Sequence, residues 1–242
     1  MLKLIKYDFK RNRDQILAVF IITILVQIGI GFTITSDQEL FMMNITTYII
    51  AALVLLFLNI RTFDQNLRFY NRQLLPVPII YTILSPLLLF LVLLVGVFIV
   101  GYIHLGIYII RYSNSFLPVN FWPTSTYALL PIFWSAFFAM LFIMFSITTA
   151  RSVRMKGSVW IGLGTFFVIQ YAISFLEHRM FNHTFISLES AFRFGVTDQA
   201  DRLNGIEVSQ YFLGVLPILF EAVIAIILIA VMIRLIKRRV ES

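Results

Sequence analysis

The sequence predicts an all-α, polytopic membrane protein built from six transmembrane helices. Three observations carry that expectation. Of 242 residues, 60% are hydrophobic and only 13% charged, where a soluble domain has roughly 25% charged residues. Six apolar runs of about 18–25 residues can each cross a hydrocarbon core of ~30 Å. Lysine and arginine gather on alternate connections, as the positive-inside rule requires. Mean hydropathy is +0.91. No linker, low-complexity tract or internal repeat divides the chain, so residues 1–242 are expected to form one transmembrane domain.

The elements follow in order. Residues 1–14 carry Lys3, Lys6, Lys10, Arg11 and Arg13, while Leu2, Ile5 and Phe9 share another helical face. That pattern predicts an N-terminal amphipathic helix lying on an anionic membrane surface. A nucleic-acid patch is disfavoured, because a span follows at once. Residues 15–35 form the first span, too long for a cleaved signal sequence and without an A-x-A-type site. Asp37 and Glu39 mark a short acidic turn before the second span, residues 41–60.

Residues 61–78, RTFDQNLRFYNRQLLPVP, are the longest polar stretch on their side of the membrane. Phe63, Leu67, Tyr70 and Leu74 recur at helical spacing, with Asp64, Gln65, Asn66, Arg68 and Arg72 between them. Pro76 and Pro78 end the helix, since each removes a donor and restricts the residue before it. Two readings stay open: a docking element, or a connecting helix lying among lipid headgroups.

Residues 79–101 are the third span, with Pro86 in its first turns. Residues 104–125 read as a loop at the membrane interface, with Pro118, Trp122 and Pro123. The fourth span is 126–150, with Pro131 near its start, and RSVRMKG (151–157) is a short basic loop. The fifth span, 158–175, holds Gly162 and Gly164, which suit close helix packing. Residues 177–208 carry five acids and three arginines. The sixth span is 209–233, followed by a basic tail, 234–242.

Six spans put both termini on one side. That side collects 15 of the 19 Lys and Arg residues, leaving Arg111, Arg179, Arg193 and Arg202 on the other. Both termini and the connections after spans two and four are therefore expected in the cytoplasm of a cell (plasma) membrane protein.

Several chemistries are excluded by what is missing. There is no cysteine, hence no disulfide and no thiolate nucleophile. The three histidines form no H-E-x-x-H, and no G-x-S-x-G or G-x-x-x-x-G-K-[ST] occurs. Glu177 beside His178 makes a weak acid–base candidate. No metal or catalytic residue is expected, and the chain does not read as an enzyme.

Inside the spans, Glu221 stands alone as an acid. The boundaries 209–233 put it at the midplane, with Pro217 four residues earlier freeing the carbonyl of Leu213. An acid there lines a wet path or joins two helices by a hydrogen bond, and the sequence leaves both open. Gln27 and Gln170 are the next polar candidates for a substrate path.

With this topology in view, the chain resembles the permease subunits of ABC-2 type exporters. The opening KLIKYDFKRNRDQIL is similar to that family's basic lead-in. FDQNLRFYNRQLLPVP resembles its first cytoplasmic loop, with Asp64 opening a short helix and Leu74-Leu75-Pro76 closing it. Arg68-Phe69-Tyr70 stands where the family often has a Gly-Thr pair.

The resemblance implies a cytoplasmic coupling helix between spans two and three. In it Phe63, Asp64, Leu67, Tyr70, Leu74 and Pro76 would face an ATPase or brace the helix against the spans. Arg151, Arg154 and Lys156 would add a second contact, beside their plain anchoring role. Short re-entrant helices are implied between spans five and six, with Phe185, Ile186, Leu188, Ala191 and Phe192 as an apolar face.

No cofactor would bind this chain. ATP and Mg would sit in a separate cytoplasmic ABC ATPase subunit. A second permease, identical or paralogous, would complete the dimer among membrane lipids, with no nucleic acid involved. The function implied is export of an amphipathic peptide, antibiotic or lipid. The alternative is an ATP-independent channel or secondary transporter using Glu221.

Overall fold

A computed structural model of the chain describes residues 2–33, 37–68, 78–112, 121–153, 158–181, 192–197, 207–212 and 215–240. Six long helices dominate: α1 (Leu2–Thr33), α2 (Asp37–Arg68), α3 (Ile79–Tyr112), α4 (Phe121–Ser152), α5 (Ser158–Phe181) and α6 (Val215–Val240). All six are long and apolar enough to cross a membrane, consistent with a multi-pass membrane protein. Between α5 and α6 lie two strands, β1 (Phe192–Thr197) and β2 (Glu207–Phe212). They pair antiparallel, Phe192 opposite Phe212 and Thr197 opposite Glu207.

Four sequence expectations change. The basic lead-in is not a separate interfacial helix. It continues without a break into the first span, giving a 32-residue helix about 48 Å long. No proline or glycine stands near residues 14–15 to stop it.

Likewise residues 61–68 are the last turns of α2 and not an independent coupling helix. Tyr70, Leu74 and Pro76 lie outside the described residues. The interfacial loop 104–125 is shorter than expected, because α3 runs to Tyr112 and α4 starts at Phe121. Pro123 then falls in a first turn, where its missing donor costs nothing.

Between α5 and α6, the described residues form a hairpin where re-entrant helices were expected. Phe192 opens β1, while Phe185, Ile186, Leu188 and Ala191 lie outside the described residues. In FRFGVT the apolar residues Phe192, Phe194 and Val196 alternate with Arg193, Gly195 and Thr197, a two-residue period that fits a strand better than a helix.

The chain divides into two compact units. The first comprises residues 1–62 and 84–117, that is α1, most of α2 and most of α3. Its core is Ile16 from α1, Leu55 from α2, and Leu89, Leu93 and Val97 from α3, with Ile5, Val19, Phe20, Tyr48 and Leu58 packed around it.

Polar residues share this buried face. Along α1, Asp8, Ile16, Thr23 and Gln27 are covered. Along α2, Leu40, Asn44, Ala51, Leu55, Asn59 and Thr62 are covered. Both sets follow helical spacing. The outward faces, with Leu17, Ile21, Leu25 and Ile28 on α1, are apolar and exposed. In lipid this polarity is stable, because apolar side chains have no reason to hide and hydrogen-bonding ones do.

The second unit comprises residues 63–83 and 118–242. Here α4 packs against both α5 and α6. Met140, Leu141 and Met144 of α4 are fully covered, as is Met232 of α6. Gly162 permits the α4–α5 approach. A Cβ there would stand 3.0 Å from the Ala150 Cβ and 3.2 Å from the Ser146 carbonyl oxygen. Gly164 meets nothing within 4 Å, so it has no such packing role.

Candidate functional site

Each unit holds a polar cluster at its helix ends. In the first unit the stripe on α1 brings Asp8 inward, and its residue is 0% exposed. Ser85 on α3 donates its hydroxyl to Asp8 Oδ2 at 2.7 Å. Arg11 reaches Asp8 Oδ1 from the next turn at 3.7 Å. Asn12 donates to the Thr62 hydroxyl on α2 at 2.9 Å, and Arg11 reaches the Thr62 carbonyl at 3.5 Å. Three helices are thus tied by one buried carboxylate and its neighbours.

Sequence reasoning missed this cluster. It put Leu2, Ile5 and Phe9 on one face and the basic residues near another, and assigned no role to Asp8 between them. The available signal was the helical spacing of the polar residues Asp8, Asn12, Thr23 and Gln27 in an otherwise apolar helix.

In the second unit, α2 ends on Phe63, 0% exposed, and Leu67, also covered. Both side chains are therefore packed against protein at this helix end. Asp64 lies between them, half-buried, and meets Arg151 at the end of α4. Arg151 Nε donates to Oδ1 at 2.9 Å and Nη2 to Oδ2 at 3.2 Å. A two-pronged guanidinium–carboxylate contact of this kind fixes orientation as well as distance. The structure therefore joins two predicted site residues that lie 87 positions apart. Arg154 and Lys156 fall outside the described residues.

The three candidate path residues have different neighbourhoods. Gln27 belongs to the first unit, where its amide nitrogen donates to the Asn44 carbonyl at 3.2 Å. Gln170 is half-buried on α5.

Glu221 accepts a hydrogen bond from the indole of Trp134 on α4, linking α4 to α6. It is not at the middle of its helix. Because β2 occupies residues 207–212, α6 begins only at Val215, and Glu221 stands about 9 Å along it. Pro217 then falls in the first turn, where no intrahelical bond is lost, so the carbonyl it was expected to free is not part of the helix.

Gln27 and Asn44 also line a cleft of about 520 Å³ among α1, α2 and α3. Both residues are covered, and Gln27 Oε1 and Asn44 Oδ1 find no hydrogen-bond donor among the described residues. Each such acceptor costs about 1–3 kcal/mol. Tyr48 and His104 share the lining, their rings tilted at 6.2 Å.

Among the described residues no group of His, Asp and Glu could hold a metal ion. Glu177 is covered and the adjacent His178 exposed, so the weak acid–base candidate is split between two faces of α5. No protein-family model, curated protein or solved structure matches this chain.

Proposed function

We propose that this chain is the transmembrane permease subunit of an ATP-driven exporter, coupled to a separate cytoplasmic ATPase that binds ATP and Mg. A second permease would complete the path for an amphipathic peptide, antibiotic or lipid. The observation that supports this best is the Asp64–Arg151 pair. It ties the end of α2 to the end of α4, the two positions where the resemblance to ABC-2 permeases puts ATPase contacts. Two contact segments locked at one angle would receive a push from a partner as a single surface. The same reading puts both termini and these helix ends in the cytoplasm of the plasma membrane, where 15 of 19 basic residues collect.

The test is purification of the full chain from its native membrane in mild detergent, followed by mass spectrometry. The expected result is a stoichiometric partner bearing a Walker A motif. Arg61→Glu is the variant to pair with it, since Arg61 is exposed on the last turns of α2. It should weaken the partner's association and leave insertion intact. A charge at Leu67 would test folding instead, because that side chain is covered. A chain free of any ATPase, under conditions that hold a known complex together, would favour the ATP-independent channel or secondary-transporter reading.

A further inference from the structure

We propose that the cleft among α1, α2 and α3 receives a neutral, hydroxyl-bearing, single-chain amphiphile from the surrounding bilayer. Its volume of about 520 Å³ falls within the range of small-molecule sites. The walls include Ile24, Ile28, Ile103 and Ile107, all of which continue onto the exposed surface. An apolar tail can therefore enter sideways from lipid without crossing a polar rim.

The polar end of the occupant is set by what the cleft offers. Gln27 Oε1 and Asn44 Oδ1 are acceptors without donors among the described residues. Amide torsions are broad, so a small rotation turns either oxygen towards the cleft. Both therefore call for a donor.

Among the described residues no Lys, Arg, Asp or Glu lines the cleft, so an ammonium finds no counter-charge there, and a carboxylate or phosphate meets only the His104 imidazole. A hydroxyl fits: it donates to an amide oxygen, and leaving it unpaired in hydrocarbon is costly. Gln27 lies six residues before the end of α1, about 9 Å along its axis. A hydroxyl seated there lies below the helix rim, among groups that can satisfy it.

The experiment uses the full chain alone, so it is independent of the exporter reading and can fail without it. Native mass spectrometry in detergent would titrate the chain with monopalmitoylglycerol and, separately, with palmitate. The expected result is one-to-one binding of the monoacylglycerol, at least about tenfold tighter than the fatty acid. Gln27→Leu with Asn44→Leu should remove that preference. The unliganded double variant should melt close to the parent, because losing the Gln27 amide bond to the Asn44 carbonyl is offset by removing two acceptors without donors.

Gly31→Leu is the second variant. Gly31 lines the cleft, and a Cβ there meets nothing within 4 Å, so the side chain fills the space without a backbone clash. It should block binding. Equal affinity for the two probes, or parental binding in either variant, would overturn the proposal. So would a lower melting temperature in the double variant with binding retained, which would make the amides structural.

Discussion

Two aspartates, Asp8 and Asp64, each tie two helices together, and they do so in opposite ways. Asp8 is wholly covered, and Arg11 Nη2 stands 3.7 Å from its Oδ1. Its short contact is the neutral Ser85 hydroxyl at 2.7 Å. Asp64 keeps 21% of its side chain exposed and faces the full fork of Arg151. The shortest described contact of the buried acid is with a neutral hydroxyl, that of the rim acid with a guanidinium. Energetically the two are unequal. A charged group shut away from water depends on every donor it has, whereas a rim pair trades protein contacts for water at little cost.

The largest expected effect is at Ser85. Ser85→Ala removes a donor from the covered carboxylate and should cost about 2–3 kcal/mol, read as a lowered melting temperature of the detergent-solubilised chain. Asp8→Ala should cost less, about 1–2 kcal/mol, since it removes the buried acid itself and leaves the Ser85 hydroxyl and the part-exposed Arg11 without it. The double variant should then be less destabilised than the sum of the two, and strict additivity would show that the contact has no energetic role.

At the rim, Arg151→Lys should cost about 0.5–1 kcal/mol, because an ammonium cannot reproduce the two-pronged contact. A loss as large as that of Ser85→Ala would erase the distinction. The smallest effect is that of salt. Raising ionic strength to ~1 M shortens the screening length to ~3 Å. That should narrow the gap between the parent and Arg151→Lys while leaving the Ser85→Ala penalty unchanged.

The same contrast explains what could be read from the sequence. The six spans were legible because length and apolarity suffice for that, and every predicted span overlaps one of the six helices. Element ends were less legible. Residues 61–68 look amphipathic, but Phe63 and Leu67 are the lower turns of α2, not the face of a new helix. The pairing of Phe192–Thr197 with Glu207–Phe212 was hidden because only the first strand, FRFGVT, alternates in polarity while EVSQYF does not.

The buried network around Asp8 was missed for a physical reason. Searching for an apolar stripe finds the core of a soluble helix and the lipid face of a membrane one. In α1 the informative stripe is the polar one. Of the candidate site, Asp64 and Arg151 were named in advance for separate reasons; their pairing is visible only in three dimensions. Glu221 was misplaced along its helix because the start of α6 was drawn six residues too early.

The unbroken course of α1 has a mechanical consequence. Asp8 and Gln27 lie on one helix with no proline between them, roughly 28 Å apart along the axis. A stiff strut has no joint in which to absorb a displacement. Any force that shifts the basic end of α1 must tilt or slide the whole rod, and Gln27 travels with it. The cleft wall and the Asp8 anchor are thus two points on one lever arm.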